Sequence, residues 1–292
     1  MRKYYGEIGL LITAIIWGSG FVATAVALTY YTPYQTMAIR FLVGGIILAL
    51  VFYKRLKTIT APLLLKGAFL GTILYISFAL QTVGLQFTTP SKNAFITAVN
   101  VVIVPIIAFL FYRKRLNISE VVGAVLALVG IGFMSLQISG TINFGDFLTF
   151  LCAIGFAFHI VYTARFVKGE DPIQLTIIQL LTAALIGIVI IGARGELAMP
   201  FEINALIPVV YLGLFSTTIA YLLQTAGQKL VTETKAAIIL STEALWGTIF
   251  SVIILSELIT LRMTIGAICI LGAILISELK LNLSSRMSRQ RT

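Results

Sequence analysis

The hydrophobic positions of this chain form long unbroken blocks rather than the alternating or amphipathic patterns of soluble domains. Ten blocks are each close to twenty residues long, which is the length that a helix needs to cross a bilayer. Their approximate ranges are 8–28, 35–53, 63–85, 93–112, 119–138, 146–164, 173–192, 205–226, 235–256 and 262–279. Membrane β-strands would be about ten residues long with alternating polarity. The pattern therefore predicts an all-α integral membrane protein with ten transmembrane helices.

Composition supports a membrane protein, because 59% of the 292 residues are hydrophobic and only 11% are charged. The first block resembles a signal peptide, and Ala25, Val26 and Ala27 mimic a cleavage site. This block is long enough to span the bilayer and other blocks follow at once, so we interpret it as an uncleaved first helix.

The basic residues predict the orientation of the helices. If the N-terminus is cytoplasmic, 17 of the 21 Lys and Arg residues fall on the cytoplasmic side. These are Arg2, Lys3, Lys54, Arg55, Lys57, Lys66, Arg113, Lys114, Arg115, Arg165, Lys168, Lys229, Lys235, Lys280, Arg286, Arg289 and Arg291. Lys92, Arg194 and Arg262 fall outside, and Arg40 lies within a helix. This bias predicts a multi-pass inner-membrane protein with both termini cytoplasmic, whose net charge of +10 serves orientation and lipid contact rather than nucleic acid.

Signatures of catalysis and metal binding are missing from the sequence. It contains two cysteines and one histidine, without metal-ligand spacing or a phosphate-binding glycine loop, so we expect no metal and no cofactor. An intramembrane enzyme acting on a lipid-linked substrate remains the alternative to a transporter. Its acidic candidates, Asp146, Glu170, Asp171 and Glu257, are scattered and have no histidine partner. A structural membrane component is a third interpretation.

A repeat divides the chain into two halves. The segments "LQTVGLQFTTPSKNAFI" (80–96) and "LQTAGQKLVTETKAAII" (223–239) are identical at eight of 17 positions when Leu80 is aligned with Leu223. The predicted halves are residues 1–140 and 141–292, with five helices each. Because five is odd, the second half starts on the opposite side of the membrane. Inverted repeats are typical of secondary transporters, in which each half rocks around a site at the midplane.

Two stretches carry a resemblance to a known family. Residues 12–48, with Trp17-Gly18, Pro33 and Arg40, resemble the first two helices of EamA-type members of the drug/metabolite transporter superfamily. Residues 211–272, with Glu243, Glu257 and Gly266, resemble the second EamA repeat. The resemblance implies an exporter or facilitator of small metabolites or drugs. It also implies a central cavity lined by helices 3, 4, 8 and 9, with parts of helices 1 and 6.

Glu243 is the leading candidate for a functional residue, and Asn100 is its counterpart in the Leu80/Leu223 alignment. Both approach the midplane, where an ionised side chain costs about 2.5–3.5 kcal/mol. Glu243 is expected to bind a cationic group of the substrate or a coupling proton. The alternative is a structural hydrogen bond, for example with Ser241 or Thr242. His159 is the second candidate for proton coupling.

The other candidates are ambiguous in the sequence alone. Trp17 and Trp246 lie near mid-depth and are expected to bind substrate or to pack within the bundle. Gln81 and Gln224 occupy equivalent depths and either bind substrate or join helices. Arg40 is expected to be structural and near enough to a helix end to reach the interface, and Pro105 to bend helix 4 as a gating element. The predicted function is export of a small solute by alternating access, driven by its own gradient or by proton exchange, with the oligomeric state open.

Overall fold

The computed structural model describes residues 4–113, 118–135 and 142–278, except the side chains of residues 120, 135, 277 and 278. Its long elements are helices: α1 Tyr5–Ala27, α2 Pro33–Val51, α3 Ala61–Leu85, α4 Pro90–Tyr112, α5 Ile118–Ser135, α6 Phe144–Phe166, α7 Pro172–Ala193, α8 Ile203–Leu230, α9 Glu233–Leu255 and α10 Leu261–Glu278. The predicted boundary at 140/141 lies outside the described residues, as do Arg2, Lys3, Lys114, Arg115, Lys280, Arg286, Arg289 and Arg291.

Eight of these helices are long and apolar enough to cross a membrane, within the described part of the chain. The apolar parts of α5 and α10, Val121–Met134 and Leu261–Ile276, are shorter. Large apolar side chains such as Leu65, Leu185 and Ile253 are exposed on the outside of the bundle. Such a surface is suited to lipid rather than to water.

Helices α4 and α9 are interrupted at matching positions. Val99 and Thr242 each donate their backbone N–H to the residue three positions earlier, which tightens the helix locally. Asn100 and Glu243 follow these turns directly and begin the second segment of each helix. The predicted bend at Pro105 is not needed for the interruption, because α9 has the same one with Thr248 at the equivalent position.

The helix bounds repeat between the two parts of the chain. In the Leu80/Leu223 alignment, both ends of α4 coincide with those of α9, and both ends of α5 with those of α10. The first two helices of each part follow a different alignment, which places Pro33 on Pro172 and superposes α1 on α6. The second part is therefore slightly longer, mainly because its second helix, α7, has 22 residues and α2 has 19.

Three pairs of equivalent helices pack against each other and run antiparallel. In the α2–α7 pair, Gly45 lies against Leu181 and Gly187 lies against Ala38. Residue numbers therefore rise along one helix as they fall along the other. In the α4–α9 pair, Ala94 lies against Gly247, and Ser91, closer to the start of α4, contacts Glu257, beyond the end of α9. The helix pair α5–α10 shows the same order of contacts. In each of these three pairs the two helices therefore have opposite chain directions.

The helix ends form two polar faces, which we call the Lys235 end and the Lys92 end. The Lys235 end has the ion pairs Lys235–Glu7 (2.6 Å), Lys66–Glu170 (2.6 Å) and Arg55–Asp171. The Lys92 end has Lys92–Asp146 (3.7 Å) and Arg194–Glu196 (2.6 Å). Lys92 and Lys235, which pair in the sequence repeat, thus lie at opposite ends of the bundle.

Each end is also fastened by a glutamine near the start of a helix. Gln35 of α2 donates to the backbone oxygens of Glu196 and Ala198, at 2.8 and 2.9 Å. Gln174 of α7, its equivalent in the Pro33/Pro172 alignment, donates to the Arg55 backbone oxygen and to Thr58 Oγ1, at 2.6 and 2.7 Å. Each glutamine therefore binds a loop from the other half.

Candidate substrate site

A cavity of about 610 Å³, including its open part, lies between the two halves. Most candidates from the sequence line it: Trp17, Arg40, Gln81, Asn100, His159, Gln224 and Glu243. These seven polar and aromatic residues are dispersed along the chain, and the fold brings them to one cavity.

Trp246 and Pro105 do not belong to the cavity lining in the described structure. Trp246 packs its Cβ against Gly18 of α1, where an added methyl group would approach it to 2.4 Å. Its ring lies 6.5 Å from that of Phe250. Pro105 is buried in the second segment of α4. Both positions fit packing in this structure.

Glu243 faces the cavity at mid-depth, ten residues after the start of α9 and twelve before its end. Its side chain is 5% exposed, and no hydrogen bond or ion pair to it occurs among the described residues. Ser241 and Thr242 donate their hydroxyl protons to the backbone oxygens of Ile238 and Ile239, both at 2.7 Å. The expected structural hydrogen bond from these hydroxyls is therefore absent. The position at the start of a helix segment favours a negative charge.

Three amide oxygens of lining residues also lack partners. Asn93 Oδ1, Asn100 Oδ1 and Gln224 Oε1 are buried and accept no hydrogen bond within the described residues. Buried polar groups are nearly always satisfied, so these oxygens indicate a site for a ligand or water. Gln81 differs, because its Nε2 donates to Thr97 Oγ1 at 3.1 Å and so joins α3 to α4.

Arg40 turns inward instead of reaching the membrane interface. It is 2% exposed, and its Nε and Nη2 donate to Thr217 Oγ1 and Ser216 Oγ, both at 3.1 Å. Its guanidinium carbon lies 4.3 Å from the ring centroid of Phe78, a cation–π contact. Arg40 is thus held in the cavity wall by hydroxyls and an aromatic ring.

A π-helical segment of α8, Leu212–Ile219, supplies both hydroxyls. Wider turns of this type free backbone oxygens from the regular ladder and frequently occur at functional sites. Here the Ser216 oxygen accepts from Trp17 Nε1 at 2.9 Å, and the Gly213 oxygen accepts from Thr218 Oγ1 at 2.8 Å. The segment therefore ties α8 to both α1 and α2 beside the cavity.

His159 is buried at the cavity wall, with its Nε2 2.8 Å from Gln179 Oε1. A carbonyl oxygen only accepts, so Nε2 carries a proton. Gln179 in turn donates to Thr225 Oγ1 at 3.3 Å. The ring also packs edge-on against Tyr221, at 5.9 Å between centroids. His159 is therefore part of a polar chain that joins α6, α7 and α8.

Several lining residues escaped the sequence interpretation, among them Phe78, Phe156, Ser216 and Tyr221. The repeat contains a signal for three of them. Phe78 and Tyr221 are equivalent in the Leu80/Leu223 alignment, and Phe156 is equivalent to Trp17 in the Pro33/Pro172 alignment. Ser216 has no such signal, because its place depends on the π-helical turn.

The lining is symmetric in the middle of the bundle and asymmetric toward the ends. Both members of six equivalent pairs line the cavity: Trp17/Phe156, Gly20/His159, Phe21/Ile160, Phe78/Tyr221, Gln81/Gln224 and Asn100/Glu243. Near the Lys92 end, Thr24, Leu85 and Asn93 also line it. Their equivalents near the Lys235 end, Thr163, Gln228 and Ala236, do not. The cavity thus extends from the centre toward the Lys92 end.

A bundle of apolar helices around a central cavity with polar and aromatic walls is characteristic of multi-pass membrane proteins that transport small molecules. The sequence profile of the EamA-like transporter family matches residues 4–136 and again residues 143–279. The chain belongs to this family, which confirms the resemblance seen in the sequence. Membership implies a membrane environment and a small-molecule substrate.

Relatives agree with this assignment. An "Uncharacterized transporter" of Archaeoglobus fulgidus is 32% identical over 284 residues, covering 96% of this chain and 88% of its own. The "Uncharacterized transporter YdfC" of Bacillus subtilis is 24% identical, covering 97% and 94% of the two chains. A solved structure described as "Crystal structure of protein" superposes with a TM-score of 0.69 at 16% identity, covering 97% of this chain and 98% of that one. That likeness supports the fold alone.

Proposed function

We propose that the chain is a secondary transporter that exports a small metabolite or drug-like solute across the inner membrane by alternating access. In this proposal its ten helices form two inverted halves, residues 1–140 and 141–292, with both termini cytoplasmic. The Lys92 end then faces outward. Protons are the proposed coupling ion, with Glu243 as the carrier.

The observation that supports this proposal is that the cavity extends farther toward the Lys92 end than toward the Lys235 end. Pseudo-equivalent positions such as Thr24 and Thr163 differ in one respect, since only Thr24 lines the cavity. If the halves exchange conformations, the cavity extends toward the Lys235 end instead. In this proposal the bundle has two conformations of similar energy, which alternating access requires.

The contacts of the four acidic residues considered for an enzyme favour a transporter instead. None of them lines the cavity, and each contacts a neighbouring element at a helix end. The contacts are Asp146 with Lys92, Glu170 with Lys66, Asp171 with Arg55, and Glu257 with Ser91. Groups engaged in this way hold helix ends together and leave no matched acid–base pair for catalysis.

Cysteine accessibility tests the proposal in a background with Cys152→Ala and Cys269→Ala. Thr24→Cys is expected to react with a membrane-impermeant maleimide from the outer side. Thr163→Cys is expected to react only from the cytoplasmic side. A ligand that favours one conformation changes the two rates in opposite directions.

Two exposed loop positions serve as markers of sidedness, Thr58→Cys at the Lys235 end and Glu202→Cys at the Lys92 end. They are expected to react from the cytoplasmic and outer sides respectively. Reaction of Thr24→Cys and Thr163→Cys from the same side would contradict alternating access between inverted halves.

A further inference from the structure

A cluster of aromatic side chains lies on the outer surface of the bundle near the Lys235 end, and we call it the aromatic patch. Its members are Phe69 of α3, Phe111 and Tyr112 of α4, and Phe158, Tyr162 and Phe166 of α6. The Phe69 and Tyr162 ring centroids are 5.0 Å apart, and Phe111 lies 5.6 Å from Phe158. Phe69 is 44% exposed and Phe111 54%. The patch therefore joins three helices outside the cavity lining.

Two guanidinium groups lie at the rim of this patch. Arg165, in the last turn of α6, is exposed, and its guanidinium carbon lies 4.8 Å from the Tyr112 ring centroid. Arg113 follows Tyr112 directly and is also exposed. Neither arginine pairs with a carboxylate among the described residues. The dipole of α6 favours a cation at its end but does not account for the rings beside it.

Arg194 at the Lys92 end provides a comparison with Arg165. Its guanidinium carbon also lies over a ring, 4.4 Å from the Tyr34 centroid. Arg194 Nε, however, donates to Glu196 Oε1 at 2.6 Å, so its charge has a partner within the protein. Arg165 has the same kind of ring contact without such a partner. An anion from outside the described part of the chain would complete it.

The inverted half has no equivalent of the patch. In the two alignments Phe69 corresponds to Leu212 and Phe166 to Ala27, and both equivalents are fully buried in one apolar cluster. The equivalents of the other rings and of Arg165 are also not aromatic or basic: Ile254, Leu255, Ser19, Ala23 and Val26. Protein thus covers this place in one half and leaves it open in the other. The repeated fold therefore does not itself require the rings or the charge.

The patch has the depth profile of a phospholipid. Arg165 is one residue from the end of α6, whereas Phe158 is eight residues from that end. Phe69 is eight residues from the start of α3, at the same end of the bundle. At 1.5 Å per residue, the rings reach roughly 12 Å inward, which is less than half of a hydrocarbon core of about 30 Å. The charge thus lies where a head group does, and the rings where an acyl chain does.

We propose that the aromatic patch binds an anionic phospholipid, whose phosphate contacts Arg165 and Arg113 and whose acyl chain lies along the rings. Guanidinium groups match phosphate oxygens in charge and geometry, and aromatic rings supply a large apolar contact area. In a zwitterionic head group, the lipid's own cation competes for the phosphate. The site is separate from the cavity and does not depend on the solute. In the proposed orientation it faces the cytoplasmic leaflet, which carries anionic lipids.

Three probes test the site on the purified full chain in a neutral detergent. They are phosphatidylglycerol, phosphatidylcholine with the same acyl chains, and inorganic phosphate, and binding is followed by the rise in melting temperature. Phosphatidylglycerol is expected to act at a roughly fivefold lower concentration than phosphatidylcholine. Phosphate alone should give no rise, because it lacks the chain. Equal effects of the two lipids, or a rise with phosphate alone, overturn the proposal.

A pair of variants separates this site from the general attraction of basic residues to anionic lipid. Arg165→Gln should remove the preference for phosphatidylglycerol. Lys57→Gln is the control, because Lys57 is exposed at the same end and forms no cation–π contact among the described residues. It should retain the preference. Equal losses in the two variants would mean that diffuse charge attracts the lipid, which overturns the proposal.

Tryptophan reporters locate the bound lipid. Phe69→Trp and Ile12→Trp are compared in a background with Trp17→Phe and Trp246→Phe. The two positions are matched, since they are 44% and 42% exposed and lie eight and seven residues from the starts of α3 and α1 at the Lys235 end. Phosphatidylglycerol with brominated chains should quench position 69 more than brominated phosphatidylcholine does, and position 12 equally. The same preference at both positions overturns the proposal.

A second copy of the chain is the other occupant that the experiments distinguish. Our proposal predicts that the mass of the protein in lipid-free detergent does not depend on the patch. A dimer that Phe69→Arg converts to a monomer would assign the patch to a second copy and overturn the lipid site. The comparison of lipids in the unaltered chain needs no substitution, so it remains decisive if a variant fails to fold.

Discussion

The two sides of the cavity are built from equivalent helices but differ in chemistry. At equivalent positions, Arg40 corresponds to Gln179, which lies outside the lining, and Glu243 corresponds to Asn100, so Arg40 comes from one half and Glu243 from the other. His159 corresponds to Gly20, which has no side chain at all. The repeated backbone is suited to producing two related conformations, whereas the unrepeated side chains give the cavity a direction. In our proposals the symmetric part provides movement and the asymmetric part provides recognition.

The largest effect is expected from removing the unmatched carboxylate. If Glu243 carries the coupling proton, Glu243→Gln abolishes the pH dependence of solute transport in proteoliposomes. It should also lower the transport rate about 25-fold, which corresponds to a charge-assisted contact of roughly 2 kcal/mol. Asn100→Ala, at the matched neutral position, should retain the pH dependence.

Other ionisable groups near Glu243 provide the controls for that experiment. Arg40, Tyr221, Cys152 and His159 surround the same part of the bundle. His159→Asn removes the other candidate carrier and should leave the pH dependence in place. A pH dependence that persists in Glu243→Gln and disappears in His159→Asn would transfer the role to the histidine.

The sequence predicted the parts of the site that depend on repetition and depth. The Leu80/Leu223 alignment paired Asn100 with Glu243, and the structure has both at the start of a helix segment after the same interruption. The family and its membrane helices were also readable, because apolar blocks and repeated motifs are local signals. These features need no knowledge of how the helices rotate about their axes.

The role of Arg40 was not readable in the same way. Its distance from the helix end allowed the side chain to reach the interface, and only the rotation of α2 against α8 turns it inward. The hydroxyls that hold it belong to a π-helical turn, for which Ser216 and Thr217 give no local signal. The sequence repeat also did not show that Arg40 is equivalent to Gln179. The first two helices of each half follow the Pro33/Pro172 alignment, whereas the sequence repeat shows the Leu80/Leu223 alignment.

A second comparison concerns the glycine contacts at the two ends. Gly84 and Gly145 join α3 to α6, and a Cβ on Gly145 would approach the Gly84 backbone oxygen to 2.4 Å. The equivalent contact of Gly6 in α1 is looser, with 3.0 Å to Leu230 Cβ as the shortest approach. Gly145→Ala should therefore lower the free energy of unfolding by about 1–3 kcal/mol, and Gly6→Ala by less than about 1 kcal/mol.

Melting temperatures in detergent measure this difference. Gly192→Ala is the control, because no atom lies within 4 Å of the added methyl group and alanine favours the helix. It should leave the melting temperature unchanged or raise it slightly. Equal losses for Gly145→Ala and Gly6→Ala would mean that the two ends pack equally tightly.

The smallest effect is expected at the loop that fastens the Lys92 end. Burial raises the pKa of Glu196, but hydrogen bonds from Thr32 and Arg194 and the charge of Arg194 outweigh it and hold the pKa below its usual value of 4.5. A carboxyl group with a lowered pKa in the folded state adds stability above the unfolded value, and this stability is lost as the pH falls through the folded value. Glu196→Gln should therefore lower the melting temperature at neutral pH, by about 1 °C or less for so exposed a pair.

The difference from the unaltered protein should vanish below the lowered pKa, while Glu202→Gln, at an exposed position in the same loop, should show no such trend. A difference that grows on acidification would mean that Glu196 does not fasten the loop through its charge. The hydrogen bonds of Gln35 and Gln174 would then be the contacts that fasten the two ends in the same way.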